Sequence, residues 1–205
     1  RGASRRNRSI SGIKAGPTVE LQPLSIFNLR LTAEYVGFFS TFGFVQSRPS
    51  PNAEYSEALL DAGEAAGQNY VASGAHFMVE PLLQLKVGPI AVRNRFSLEY
   101  WSMGLREGDR VWYDGTLDTL VPGKGFTYGN ELDVLYLGLP RLVLGARYNV
   151  VKPLYRSRHF PAGEVESENN SHHRVGLLAA YIFWDEGYTA FNRPAVLLNG
   201  AGYLL

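Results

Sequence analysis

The sequence predicts an all-β fold of long antiparallel strands, on three observations. The chain is rich in turn formers and aromatics, with 22 Gly, 11 Pro and 12 Tyr in 205 residues, a β-rich balance. Its apolar residues recur with period two over long runs. Those runs also carry charge along their whole polar side. The pattern is plainest from Tyr70 to Met103, where two runs meet at Val87-Gly88-Pro89. In the first, His76, Glu80, Gln84 and Lys86 share one face, and Phe77, Val79, Leu83, Leu85 and Val87 the other. In the second, Arg93, Arg95, Ser97 and Glu99 oppose Ile90, Val92, Phe96, Leu98 and Tyr100. Both runs exceed the roughly 5–6 residues typical of a soluble strand.

A wall with lipid on one side and a polar lumen on the other has this pattern. The expected architecture is a transmembrane antiparallel up-and-down β-barrel, one domain over residues 1–205. Composition is consistent with it. Net charge is +1, so no strong field points to nucleic acid. Mean hydropathy is -0.12 and no apolar run approaches the ~18 residues of a membrane-crossing helix. Cysteine is absent, so no disulfide or thiolate is expected. Arg1 to Arg8 is basic but no apolar run follows, so the chain reads as a mature form or a trimmed piece.

Taken in order, Arg1 to Ser11 is an Arg-rich loop or tail. A strand is expected over residues 12–22, with Lys14, Thr18, Glu20 and Gln22 on one face. Pro17 there implies an edge, a bulge or a missing ladder bond. Pro23-Leu24-Ser25 turns. The second strand spans residues 27–45, with Asn28, Arg30, Thr32 and Glu34 opposite Leu29, Leu31, Ala33 and Tyr35, and an aromatic far end (Phe38, Phe39, Phe42, Phe44). Residues 46–68 form a long loop with a helix over about 54–66. The two central strands follow. Residues 104–125 are a second long loop. Strands over 126–138 and 141–155 then flank Leu139-Pro140; Glu131 and Asp133 share a face of the first, Arg141, Gly145, Arg147 and Asn149 a face of the second. A third long loop leads to a seventh strand over 172–184, with Arg174 on its polar face, and an eighth over 194–205. Short and long connections alternate, so short turns lie at one end of the wall and long loops at the other.

In this sidedness the chain resembles bacterial outer-membrane β-barrel proteins, which have short periplasmic turns and long extracellular loops. The resemblance covers residues 12–205 and includes Val19-Glu20-Leu21-Gln22-Pro23-Leu24 entering a turn and Phe191-Asn192-Arg193-Pro194 leaving one. It departs in two places. The chain ends Tyr203-Leu204-Leu205 rather than on an aromatic, and its first strand leads into a short turn. The resemblance therefore implies eight strands here and about 10–12 in an intact barrel, since strand number is even. It also implies an outer-membrane location, with the bilayer and its outer-leaflet lipids as partners and small solutes or ions as cargo.

The polar faces bring together Lys14, Glu20, Arg30, Glu34, His76, Glu80, Lys86, Arg93, Arg95, Glu99, Glu131, Asp133, Arg141, Arg147 and Arg174. In a barrel they line one lumen. Either opposite charges pair and fill it, or they line a pore, mildly anion-selective because eight bases face six acids. His76 and Glu80, four residues apart on one face, make a candidate proton-shuttling pair. His159, Ser171, His172 and His173 would supply an outer-membrane lipid hydrolase, but Ser171 and His172 point apart in a strand and no third group is spaced to orient them. Asp109, Asp114 and Asp118 lack EF-hand spacing, and Pro122-Gly123-Lys124-Gly125 lacks the rest of a P-loop. No catalytic residue, cofactor or metal is assigned. The aromatics suggest two membrane-interface girdles: Phe38, Phe39, Tyr100, Trp101, Phe126, Tyr128 and Tyr155 at the long-loop end, and Phe27, Tyr136, Phe183 and Trp184 at the other. The leading expectation is a small pore or structural barrel. The rivals are the hydrolase and a soluble lipocalin-like barrel, which would place apolar residues inside.

Overall fold

A computed structural model describes residues 12–38, 45–166, 170–183 and 195–204. The expectations placed on Arg1 to Ser11, Phe39, Phe42, Phe44, Trp184, the 185–193 connection with Phe191-Asn192-Arg193-Pro194, and Leu205 lie outside the described residues.

The expected first strand is divided into β1 (Gly12–Ala15) and β2 (Thr18–Leu24). Both pair with β3 (Phe27–Phe38) in one register, Ala15 opposite Tyr35 and Thr18 opposite Thr32. Gly16-Pro17 makes the break. Pro17 has no N–H to give, but its carbonyl accepts from the Ala33 N–H at 3.1 Å. A Cβ on Gly16 would lie 2.0 Å from the Ala33 oxygen, so the close approach requires glycine. Beyond β3 come β4 (Ser47–Arg48), α1 (Glu57–Ala65), β5 (Ala72–Val87), β6 (Ile90–Met103), β7 (Val111–Asp114), β8 (Thr119–Pro122), β9 (Lys124–Leu139), β10 (Leu142–Leu154), a 3-10 turn at Ser157–His159, β11 (His172–Ile182) and β12 (Ala195–Leu204).

The fold is all-β with a single described helix. The main sheet is antiparallel between sequence neighbours, in the order β1/β2, β3, β5, β6, β9, β10, β11, β12. That gives the eight expected passes. Among the described residues no pairing joins β12 to β1 or β2, so the expected closure is not among the sheet's bonds. Among the described residues, two-residue turns at 25–26, 88–89 and 140–141 join strands at its short-turn end. Gly88 supplies a positive φ of 56° in one and Arg141 one of 59° in another. Arg141 therefore does not open the polar face of the sixth pass. It lies exposed in the turn, and β10 begins at Leu142 with a register shift before Leu144.

Burial divides the two faces opposite to a soluble sheet. Leu83 is 54% exposed and Leu177 73% exposed, and Val79, Leu85, Val134, Leu144 and Val175 are exposed too. On the other face His76 and Asp133 are each 3% exposed.

The long loops are where the structure departs most from expectation. They fold. β4, β7 and β8 form a separate three-stranded sheet drawn from the first two loops. The short apolar runs Val111-Trp112 and Leu120-Val121 are buried on both sides, so they show no period-two signal. At this end the charged face turns apolar. Val36, Phe38, Ala72, Trp101 and Met103 pack with Val45, Trp112 and Val121 of the loops. Phe38 and Trp101 thus belong to a buried core rather than an exposed girdle, and Tyr155 hydrogen-bonds the Leu120 carbonyl inside the same crown.

Candidate functional site

The charged face carries an ordered belt. Arg30 on β3 reaches Glu20 at 3.4 Å and Glu80 at 3.3 Å. Arg95 on β6 lies 3.9 Å from Glu80. Arg93 meets Glu131 at 2.6 Å and Asp133 at 3.3 Å. Arg147 on β10 donates to both oxygens of Asp133, at 2.6 and 2.9 Å, and lies 3.3 Å from Glu131. The signs alternate strand by strand from β2 to β10. The cause is register: Glu20, Arg30 and Glu80 stand opposite one another, as do Arg93, Asp133 and Arg147. Cross-strand neighbours of opposite charge attract, and like charges in these places would repel. The belt ends at β11, where Gly176 faces Arg147. Lys86 is exposed near the short turn, away from the belt.

Nearer the long loops, His76 is held between two carboxylates. Its Nδ1 is 3.4 Å from Glu34 and its Nε2 3.0 Å from Glu99. Its ring stacks on Trp101 at 3.9 Å, and the Lys14 ammonium lies 5.3 Å from the Trp101 ring. His76 and Glu80 do not pair. Residues four apart along a strand are separated by about 13 Å, whereas cross-strand partners are about 5 Å apart. Glu80 is instead engaged by Arg30 and Arg95.

The crown is tied to this face. Asp118, at φ 57° in the β7–β8 turn, accepts from the Tyr113 hydroxyl at 2.8 Å and from Arg174 of β11 at 3.3 Å. Asp114 accepts the amides of Thr116 and Leu117 at 2.7 and 3.1 Å, while burial holds its carboxyl above the usual range. His159 accepts the Arg156 amide on Nδ1 at 2.9 Å and donates Nε2–H to the Lys124 carbonyl at 3.0 Å. Burial, with Arg158, Arg156 and Arg110 nearby, pushes its pKa down. Burial pushes the Tyr155 phenol up.

The remaining candidates scatter. His173 bonds the Tyr148 hydroxyl at 2.6 Å on the apolar side, His159 is spent on the crown, and His172 takes the opposite face from His173 in β11. Asp109 bonds Ser47, while Asp114 and Asp118 are both engaged within the β7–β8 turn, by the Thr116 and Leu117 amides and by the Tyr113 hydroxyl. Among the described residues no group of three His, Asp or Glu could hold a metal ion. Reading the sequence missed the crown residue Trp112, and it placed Tyr155 in a girdle and weighed Asp118 only as a calcium ligand. The available signal was the loss of polarity at Val36, Phe38, Trp101 and Met103, which marked the charged face as covered there.

On the apolar side, Phe77, Tyr100 and Phe126 form a chain of rings toward the long-loop end, with centroids 6.5 and 4.9 Å apart. Tyr181 and Phe183 meet edge-on at 5.1 Å at the short-turn end. Asn94 and Asn130 on this side satisfy each other through two hydrogen bonds of 3.2 Å, each side-chain amide donating to the other's oxygen. Compared with protein-family models, curated proteins and solved structures, the chain matches none.

Proposed function

We propose that the chain is an integral outer-membrane β-barrel of bacterial type, with its apolar face in lipid and its charged face around a narrow lumen. The lumen is kept shut, so the barrel serves as a structural platform for a folded extracellular crown. The observation that carries this reading is the inverted burial: exposed Leu83 and Leu177 against buried Asp133 and His76. In water, an exposed apolar face running across eight strands is an aggregation surface; in lipid it is matched to its solvent. A soluble ligand-binding barrel needs the opposite arrangement. Three further features support the reading. Aromatic rings mark both ends of the apolar face. The belt from Glu20 to Arg147 pairs its charges, which filling a narrow interior requires. The crown packs over the long-loop end of the charged face.

Conductance in a planar bilayer tests it. The intact protein, inserted, is expected to pass no stable unitary current. Replacing residues 107–121 by a short Gly-Ser linker removes the β7–β8 hairpin and is expected to open steps with weak anion preference. Stable steps from the intact protein would replace the closed barrel by a pore lined by Arg30, Arg93, Arg95 and Arg147.

A further inference from the structure

Two hollows share the side chain of Tyr100. One, of about 370 Å³, lies on the apolar face and is walled by Val19, Leu31, Ala33, Phe77, Val79 and Leu98. It runs beside the Gly16-Pro17 break between β1 and β2. The other, of about 470 Å³, lies at the long-loop end and is lined by Arg110, Lys124, Arg158, His159 and Asp109. We infer that together they form the seat of one phosphorylated lipid of the outer leaflet, its phosphate among Arg110, Lys124 and Arg158 and an acyl chain along the groove below Tyr100.

Charge argues for the headgroup. Among the described residues three cations line the upper hollow against one acid, Asp109, which already accepts from Ser47. The two guanidiniums are positioned by neutral groups. Arg110 donates to the carbonyls of Phe160 and Arg158, and Arg158 donates to the Lys124 carbonyl at 2.8 Å. Such bonds orient the cations without neutralising them, whereas the arginines of the belt are matched to carboxylates. Continuity argues for a lipid over a free anion. A phosphate at the crown connects through Tyr100 and Phe126 to an apolar channel of the kind a hydrocarbon chain fills, and the rings sit at the boundary.

This seat rests on the membrane reading, so the test separates the two. The full chain and its variants are first inserted into vesicles and checked for protection from added trypsin, which reports insertion alone. Inserted protein is then extracted and titrated with lipid A, its dephosphorylated form, and inorganic phosphate, with bound lipid counted by native mass spectrometry. One lipid A per chain is expected, at least about tenfold tighter than the dephosphorylated lipid. The Lys124 side chain carries none of the bonds above, so Lys124→Glu is expected to insert normally and weaken lipid A about tenfold or more, while Lys124→Arg retains it. Ala33→Trp fills the groove and weakens it as well; Lys86→Gln at the other end changes nothing. Equal retention by Lys124→Glu in inserted protein overturns the seat and leaves the membrane reading intact. Displacement of lipid A by millimolar inorganic phosphate, with Ala33→Trp silent, overturns it in favour of a free-anion site. Failure of the unaltered chain to insert overturns the membrane reading itself.

Discussion

Arg147 grips Asp133 with two parallel hydrogen bonds, Nε to Oδ1 at 2.6 Å and Nη2 to Oδ2 at 2.9 Å, on the buried side of a sheet whose other side exposes its leucines. This bidentate geometry is the strong form of an ion pair. Asp133 also answers Arg93, so one carboxylate stands between cations on two strands. Asp133→Asn is expected to cost about 2–3 kcal/mol, at the low edge of buried pairs because both guanidiniums stay partly exposed. Adding Arg147→Met is expected to recover part of that loss. Urea unfolding in detergent or lipid gives the double-mutant cycle; additive losses would show that the pair is not coupled.

Leu83 and Gln84 are chain neighbours on opposite faces of β5. Leu83→Arg is expected to cost about 2 kcal/mol or more of folding into lipid, and Gln84→Arg close to nothing. Folded fractions in vesicles, read by the heat-dependent shift on gels, compare them directly. Similar losses from both would remove the distinction between the faces.

Trp112 is buried in the crown against Phe38 and Trp101, with ring centroids 5.3 and 5.4 Å away. Trp112→Ala is expected to destabilise the crown by about 3–5 kcal/mol while the main sheet keeps its fold. Hydrogen exchange should then rise in β4, β7 and β8 and stay low in β6 and β9. Uniform exchange in both regions would mean that the crown is not a separate packing unit.

The crown should also respond to acid. Burial holds the folded His159 imidazole below its ordinary pKa of 6.5. The unfolded crown therefore binds the extra proton first. The stability is fully present above about pH 6.5 and falls as pH drops toward the folded pKa. Protonation takes away the lone pair that accepts the Arg156 amide. Asp114, raised by burial, acts in the opposite sense: its ionised form is the disfavoured one in the fold, so that cost fades as pH falls through its own raised pKa. Limited proteolysis of residues 155–166 should accelerate below pH 6.5, and His159→Gln should flatten that response. An unchanged pH response in the variant would assign it to another group.

The all-β antiparallel class and the shared face of the charged belt were legible because both rest on period two. Arg93, Glu131, Asp133 and Arg147 fall on one face by counting alone, but the meeting of Arg93 with Asp133 spans the long loop between β6 and β9 and depends on a register that counting does not give. The partner of His76 was not legible, because a count along one strand does not say which residues of β3 and β6 lie beside it. The crown was hidden for another reason. Val111-Trp112-Tyr113 and Thr119-Leu120-Val121 are too short and too evenly buried to alternate, and their placement depends on contacts with Val36, Phe38 and Trp101 far away in the chain. Arg141 was misplaced by one residue, since parity continues through a turn on paper while a positive φ ends the strand in space.

The orientation of the two faces is tested most directly with a nitroxide scan along β5. The chain contains no cysteine, so single cysteines can be introduced and labelled one at a time from position 78 to 86 in protein folded into vesicles. The account predicts period-two contrast. Labels at 79, 83 and 85 should be relaxed by oxygen dissolved in lipid and protected from a water-soluble nickel complex, and labels at 80, 84 and 86 should show the reverse or low access to both. Nickel access at 79, 83 and 85 equal to that at their neighbours would contradict a lipid-facing apolar side.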